Sequence, residues 1–157
     1  MSAAFLPSPI VRAEHCEWGT NMARVTWSDQ LSVGVSSIDD QHRKMVSLLN
    51  QMHDGMMAGK GKIALGGILQ ALIQYTTIHF THEEDLLLRS DYPDRVAHQK
   101  EHADLLRQIQ NIRRQYETVG PSAVTIPVMS FLENWTMNHI TGADMRYREH
   151  LAGKGFK

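Results

Sequence analysis

Residues 75–102 constrain this chain more than any other stretch. The segment reads Tyr75-Thr76-Thr77-Ile78-His79-Phe80-Thr81-His82-Glu83-Glu84-Asp85, passes through a leucine run to a turn at Asp91-Tyr92-Pro93, and continues into His98-Gln99-Lys100-Glu101-His102. His79 and Glu83 are four apart, as are His98 and His102, so on α-helices each pair projects from one face. Two helices joined by so short a turn lie antiparallel and would aim three imidazoles and a carboxylate into one space. That is a ligand set for a buried metal.

The same rhythm extends along the rest of the chain. Ile38, His42, Met45, Leu49, Met52 and Met56 form one stripe, with Ser36-Ser37 as N-cap candidates, Asp39-Asp40 in the first turn and Gly59-Lys60-Gly61 as the stop. Leu65, Leu69, Leu72, Thr76, His79, Glu83 and Leu86 form a second. A third runs through His98, His102, Leu105, Ile109, Ile112, Tyr116 and Val119, and after Gly120-Pro121-Ser122 a fourth presents Val128, Leu132, Trp135 and His139. Asp144 follows five residues later, and the tail from Met145 is expected to extend that helix briefly. The polar end comes last on the second stripe and first on the third, as antiparallel packing demands. The economical fold is all-α, an antiparallel up-down-up-down four-helix bundle with an N-terminal arm.

The chain has 157 residues, enough for one domain that buries roughly 70% of the surface its unfolded form exposes. We divide it into a flexible extension at 1–24, a bundle at 25–152 and a tail at 153–157. The extension carries Pro7 and Pro9 and no apolar period; Met22 could itself open a polypeptide. With 16 Lys plus Arg against 17 Asp plus Glu there is no basic footprint for nucleic acid. No apolar run approaches the ~20 residues of a membrane span, and the start lacks the form of a secretory signal. A single cysteine, Cys16, excludes an intrachain disulfide and reads as a solvated thiol. A cytoplasmic setting without membrane insertion is expected.

Five of the nine histidines, His42, His79, His98, His102 and His139, fall on inward stripes of four helices. With Glu83 and Asp144 in the same layer they would be buried polar groups without partners unless cations sit among them. His15, His53, His82 and His150 lie off the stripes and are expected to face solvent. Seven ligands exceed the need of one tetrahedral zinc, and imidazole with carboxylate suits iron, so the count favours two irons. Neutral imidazoles would leave two iron(II) ions and two carboxylates with a small positive charge, which a bridging hydroxide lowers.

At these residues the chain resembles a bacterial hemerythrin. The resemblance rests on Val33-Gly34-Val35 with Asp39-Asp40-Gln41-His42, on His79-Phe80-Thr81-His82-Glu83-Glu84, on Tyr92-Pro93, on the pair His98 and His102, and on Trp135 with His139-Ile140 and Asp144. It spans residues 24–150. It implies that His98, His102 and His139 hold a coordinatively full iron and that His42 and His79 hold the other, with Glu83, Asp144 and an oxo or hydroxo group bridging both. Dioxygen would bind the open position of the two-histidine iron, in a pocket of Met45, Phe80, Trp135, Thr136 and Ile140. Leu87 stands where many relatives have Met, and Thr136 where they commonly have Leu.

The expected function is reversible dioxygen binding in transport, storage or buffering, not catalysis. An imidazole-rich layer stabilises high-valent iron less than the carboxylate-rich layer of ferritin-like enzymes does. The competing readings are an oxygen or redox sensor acting through a separate partner, and a di-iron oxidase or scavenger of peroxide or nitric oxide.

Overall fold

The computed structural model describes residues 24–58, 62–123 and 126–157, so the expectations placed on residues 1–23, Cys16 and His15 among them, lie outside the described residues. The described chain is helical: α1 Ser36–Met57, α2 Lys62–Arg89, α3 Arg95–Val119 and α4 Ile126–Asn138. A π-helical turn, His139–Asp144, carries α4 directly into α5, Met145–Gly153. The fourth rod of the bundle is therefore α4, the π turn and α5 in series. Single 3₁₀ turns precede α1 at Asp29–Leu31 and follow α3 at Gly120–Ala123.

The helix starts and stops follow local chemistry. Residue 35, not Ser36 or Ser37, is the N-cap of α1, with the Ile38 and Asp39 amides donating to the Val35 carbonyl. The first-turn carboxylate reaches backward: Ser32 Oγ donates to Asp39 Oδ2 at 2.6 Å and the Val33 amide to Asp39 Oδ1 at 2.8 Å. Asp39 thus ties the arm to the helix it precedes, and Gly34 makes the turn between them at φ +79°. At the other end α1 stops at Met57 with Ala58 as C-cap, ahead of the glycines expected to end it, which lie outside the described residues. Helix α2 ends on two bonds, from the Asp91 amide to the Leu88 carbonyl and from the Tyr92 amide to that of Leu87, with Asp91 in the left-handed region at φ 54°. That reverses the chain into α3 within a few residues.

The arm from Arg24 packs along α1. Asn50 exchanges two hydrogen bonds with the Val25 backbone, Arg24 pairs with Asp54, and the Arg43 guanidinium lies 4.8 Å over the Trp27 ring. Inside the bundle the apolar residues form two clusters. One, with Leu49, Met52, Leu69, Ile109, Met129 and Leu132, fills the end where α1 stops; the other, with Val33, Ile38, Leu87, Tyr92, Tyr147 and Leu151, fills the opposite end. The polar layer lies between them. Two stripe positions depart from expectation: Val119 is 60% exposed, because α3 outruns its neighbours there, and Met129 replaces Val128 as the innermost residue of its turn on α4.

Candidate metal centre

Each helix delivers side chains to the layer between the two clusters. His42 comes from α1, His79 and Glu83 from α2, His98 and His102 from α3, His139 and Asp144 from the π turn, and all seven are buried. The four-residue spacings on α2 and α3 stack their pairs on one face. His139 and Asp144 are five apart, a spacing that the i→i+5 geometry of a π turn brings onto one face as an α-helix would not. Asp144 Oδ1 lies 3.1 Å from His139 Nε2.

The two carboxylates span the layer. Glu83 sets Oε1 2.5 Å from His98 Nε2 and Oε2 3.1 Å from His79 Nε2. Asp144 sets Oδ1 toward His139 and His98, at 3.1 and 3.5 Å, and Oδ2 3.2 Å from His42 Nε2. Two donor groups result, Glu83 with His98, His102 and His139, and Glu83 and Asp144 with His42 and His79.

The imidazoles point Nε2 inward and use Nδ1 elsewhere. His79 Nδ1 donates to Gln41 Oε1 at 3.0 Å and His102 Nδ1 to Glu84 Oε1 at 2.8 Å, while His139 Nδ1 faces Glu101 Oε2 at 3.6 Å. A carboxylate or amide oxygen accepts only, so on His79 and His102 the proton sits on Nδ1 and Nε2 keeps its lone pair. Sequence reasoning missed all three outer partners; His82, expected in solvent, meets Ser37 Oγ at 3.0 Å. A signal was present, since each partner adjoins a ligand candidate in sequence: Gln41 beside His42, Glu84 beside Glu83, Glu101 beside His102.

Electrostatics keep three of the imidazoles and Glu83 in ligand form. Burial pushes His42 down to about 4, His102 to about 3 and His139 to about 2, against the pull of Glu83. Burial would raise Glu83, but hydrogen bonds from His79 and His98 outweigh it and hold the carboxyl well below its ordinary range. Asp144 is pushed well above its own by burial and by Glu83. Nε2 of His102 and Nε2 of His139 lie 3.0 Å apart, both aimed into the layer. Both nitrogens of His42 and both oxygens of Asp144 lack hydrogen-bond partners. Buried acceptors so placed are destabilising unless positive charge lies among them. The donor set fits two cations.

Of the expected pocket residues, Met45, Phe80, Thr136 and Ile140 are buried and Trp135 partly so. Phe80 stacks on His102, with ring centroids 3.6 Å apart, and Trp135 on His139 at 4.4 Å. Two histidines expected in solvent are not there. His53 is 8% exposed, drawn into the seam between α1 and α4 beside Glu133, and His150, its ring against Tyr92, donates from Nε2 to the Ser90 carbonyl at 2.8 Å.

Comparison with known proteins covers the same part of the chain. The Hemerythrin HHE cation binding domain matches residues 33–151. A bacteriohemerythrin of Pseudomonas aeruginosa strain LESB58 is 33% identical over 129 residues, 80% of each chain, and one of Methylococcus capsulatus strain Bath is 31% identical over 127 residues, 80% of this chain and 95% of its own. A wild-type hemerythrin crystal structure superposes with a TM-score of 0.74 at 28% identity, covering 83% of this chain and 99% of that one. Fold, buried donor layer and matched span agree, and the chain belongs to the hemerythrin family.

Proposed function

We propose that this chain binds dioxygen reversibly at two irons held by His42, His79, Glu83, His98, His102, His139 and Asp144, and that it serves as a carrier, store or buffer of oxygen. One observation carries the reading. The group around His98, His102 and His139 has three imidazoles and one oxygen from each carboxylate within reach, whereas the group around His42 and His79 has two imidazoles and the opposite oxygens. The second group is one donor short, and that asymmetry leaves a single open position. When bound, two iron(II) ions supply that position and two reducing electrons.

The protein's own part is to hold neutral donors and to exclude water. Imidazoles whose protons are fixed on Nδ1 cannot protonate a ligand through Nε2. Phe80 and Trp135 cover one side of the layer, and Ile38, Leu87 and Tyr147 the other. Neutral imidazole in a dry setting favours capture without cleavage of the O–O bond. Among the described residues no helix is long and apolar enough to cross a membrane.

The test is an absorption spectrum of the anaerobically reduced, iron-loaded protein, repeated after oxygen is admitted and again after it is removed. Return of the first spectrum, with two irons per chain by metal analysis, is expected. Steady catalytic consumption of dioxygen or peroxide would replace this reading with an oxidase or scavenger, and oxygen-dependent capture of a partner with a sensor.

A further inference from the structure

One helical turn from the donor layer, toward the end where α1 stops, the core leaves a cavity of about 10 Å³. Its walls include Met45, Thr76, Leu105 and Thr136. Each stands three residues from a histidine of the layer, His42, His79, His102 and His139 in turn, one per rod of the bundle. The space adjoins the centre and holds about one water.

Two hydroxyls in so small a chamber require an account. Thr76 is 3% exposed and Thr136 8%. Helical threonines elsewhere in this chain satisfy themselves: Thr77, Thr81, Thr118 and Thr141 each donate to the carbonyl four residues before, at 2.8–2.9 Å. Thr76 and Thr136 do not join this set. Thr76 Oγ1 faces Met45 Sδ at 3.8 Å, a weak acceptor, and Thr136 makes no such back-bond among the described residues. Thr76 thus has only a thioether acceptor and Thr136 no back-bond, and a cavity of one water's size beside both can supply an oxygen partner.

We propose that Thr76 and Thr136 hold a single water in this cavity, and that this water sets the lifetime of the oxygenated protein. The inference rests on the dioxygen-binding reading above. Decay of the oxygenated form takes one electron from each iron(II) and two protons, so that dioxygen leaves as hydrogen peroxide and both irons remain as iron(III). Both protons come from water, which is left as two hydroxides. A water fixed beside the open position shortens that path, and an apolar side chain at 136 lengthens it.

Thr136→Val keeps the shape of the side chain and deletes the hydroxyl; Thr76→Val does the same on α2. Crystals of the zinc-loaded wild type should show one ordered water within hydrogen-bond distance of both hydroxyls, and those of Thr136→Val should lack it. In the iron-loaded proteins the oxygenated spectrum should decay severalfold more slowly in either variant. A dry cavity in the wild type with Thr136 turned onto the Leu132 carbonyl overturns the proposal, as does decay in Thr136→Val that is equal or faster. Because the water is read in zinc-loaded crystals, failure to take up dioxygen would overturn the functional reading and leave the water result standing.

Discussion

The outer partners follow a rule at the scale of single residues. Gln41 on α1 supports His79 on α2, Glu84 on α2 supports His102 on α3, and Glu101 on α3 faces His139 in the π turn. A residue next to an inward ligand points about a quarter turn away, into the seam with the next helix, so adjacency to one ligand becomes support for another. His42 has no such predecessor, and its Nδ1 lacks a partner. Glu84→Gln keeps the shape but removes the charge that makes His102 a strong donor. Metal affinity should fall by about tenfold, measured by competition with a chelator. His139→Ala removes a ligand outright and should lower iron content per chain far more; content equal to wild type would show that His139 is not a ligand.

Among the elements, the most informative is the π turn. The ligand pairs on α2 and α3 were legible in the sequence because a spacing of four is the helical repeat, and single inward histidines on α1 and α4 followed from the apolar stripes. Asp144 at a spacing of five had no same-face reading under that repeat, and was counted in the layer only from its place near the end of the fourth helix. The outer partners were not legible because they lie off the stripes, and His53 was misplaced because its seam with Glu133 on α4 depends on how two helices dock. The N-cap was misread at Ser36-Ser37 because Asp39 is engaged with the arm. Gly142 tests the element directly. It is exposed and a Cβ there would meet nothing within 4 Å, so Gly142→Ala should stabilise by about 0.5–1 kcal/mol in chemical denaturation, with iron content unchanged. Inserting an Ala after Gly142 makes the spacing six, which neither an α nor a π turn places on one face, and so turns Asp144, Tyr147 and Leu151 away from their places. That variant should lose iron as well as stability; full iron retention would mean the π turn is dispensable.

For the whole molecule, a polar layer held between two apolar clusters makes the metal-free bundle sensitive to acid in a direction that can be worked out. His42, His102 and His139 are depressed by burial to about 4, 3 and 2, so each stays neutral in the folded chain while its unfolded counterpart gains a proton below about 6.5. Between about 6.5 and about 4 these three sites favour the unfolded chain progressively as pH falls. Asp144 opposes them, since its raised folded value binds a proton earlier than the unfolded carboxyl does. Burial lowers His98 but its hydrogen bond to Glu83 raises it overall, so its folded form already holds the proton that the unfolded one is still gaining just below 6.5, and there it opposes the three as well. The three imidazoles, joined by Glu83 as pH nears the ordinary carboxyl range, outweigh Asp144 and His98, so the unfolded state binds more protons and stability declines as pH falls. The urea midpoint of metal-free protein should therefore fall steadily from neutral pH toward about 4. Metal occupancy steepens the dependence, because every ligand must be deprotonated to bind and acid releases the ions. A metal-free midpoint that stayed level or rose across that window would mean the imidazoles are not buried as neutral donors, and with them the ligand layer itself would be misassigned.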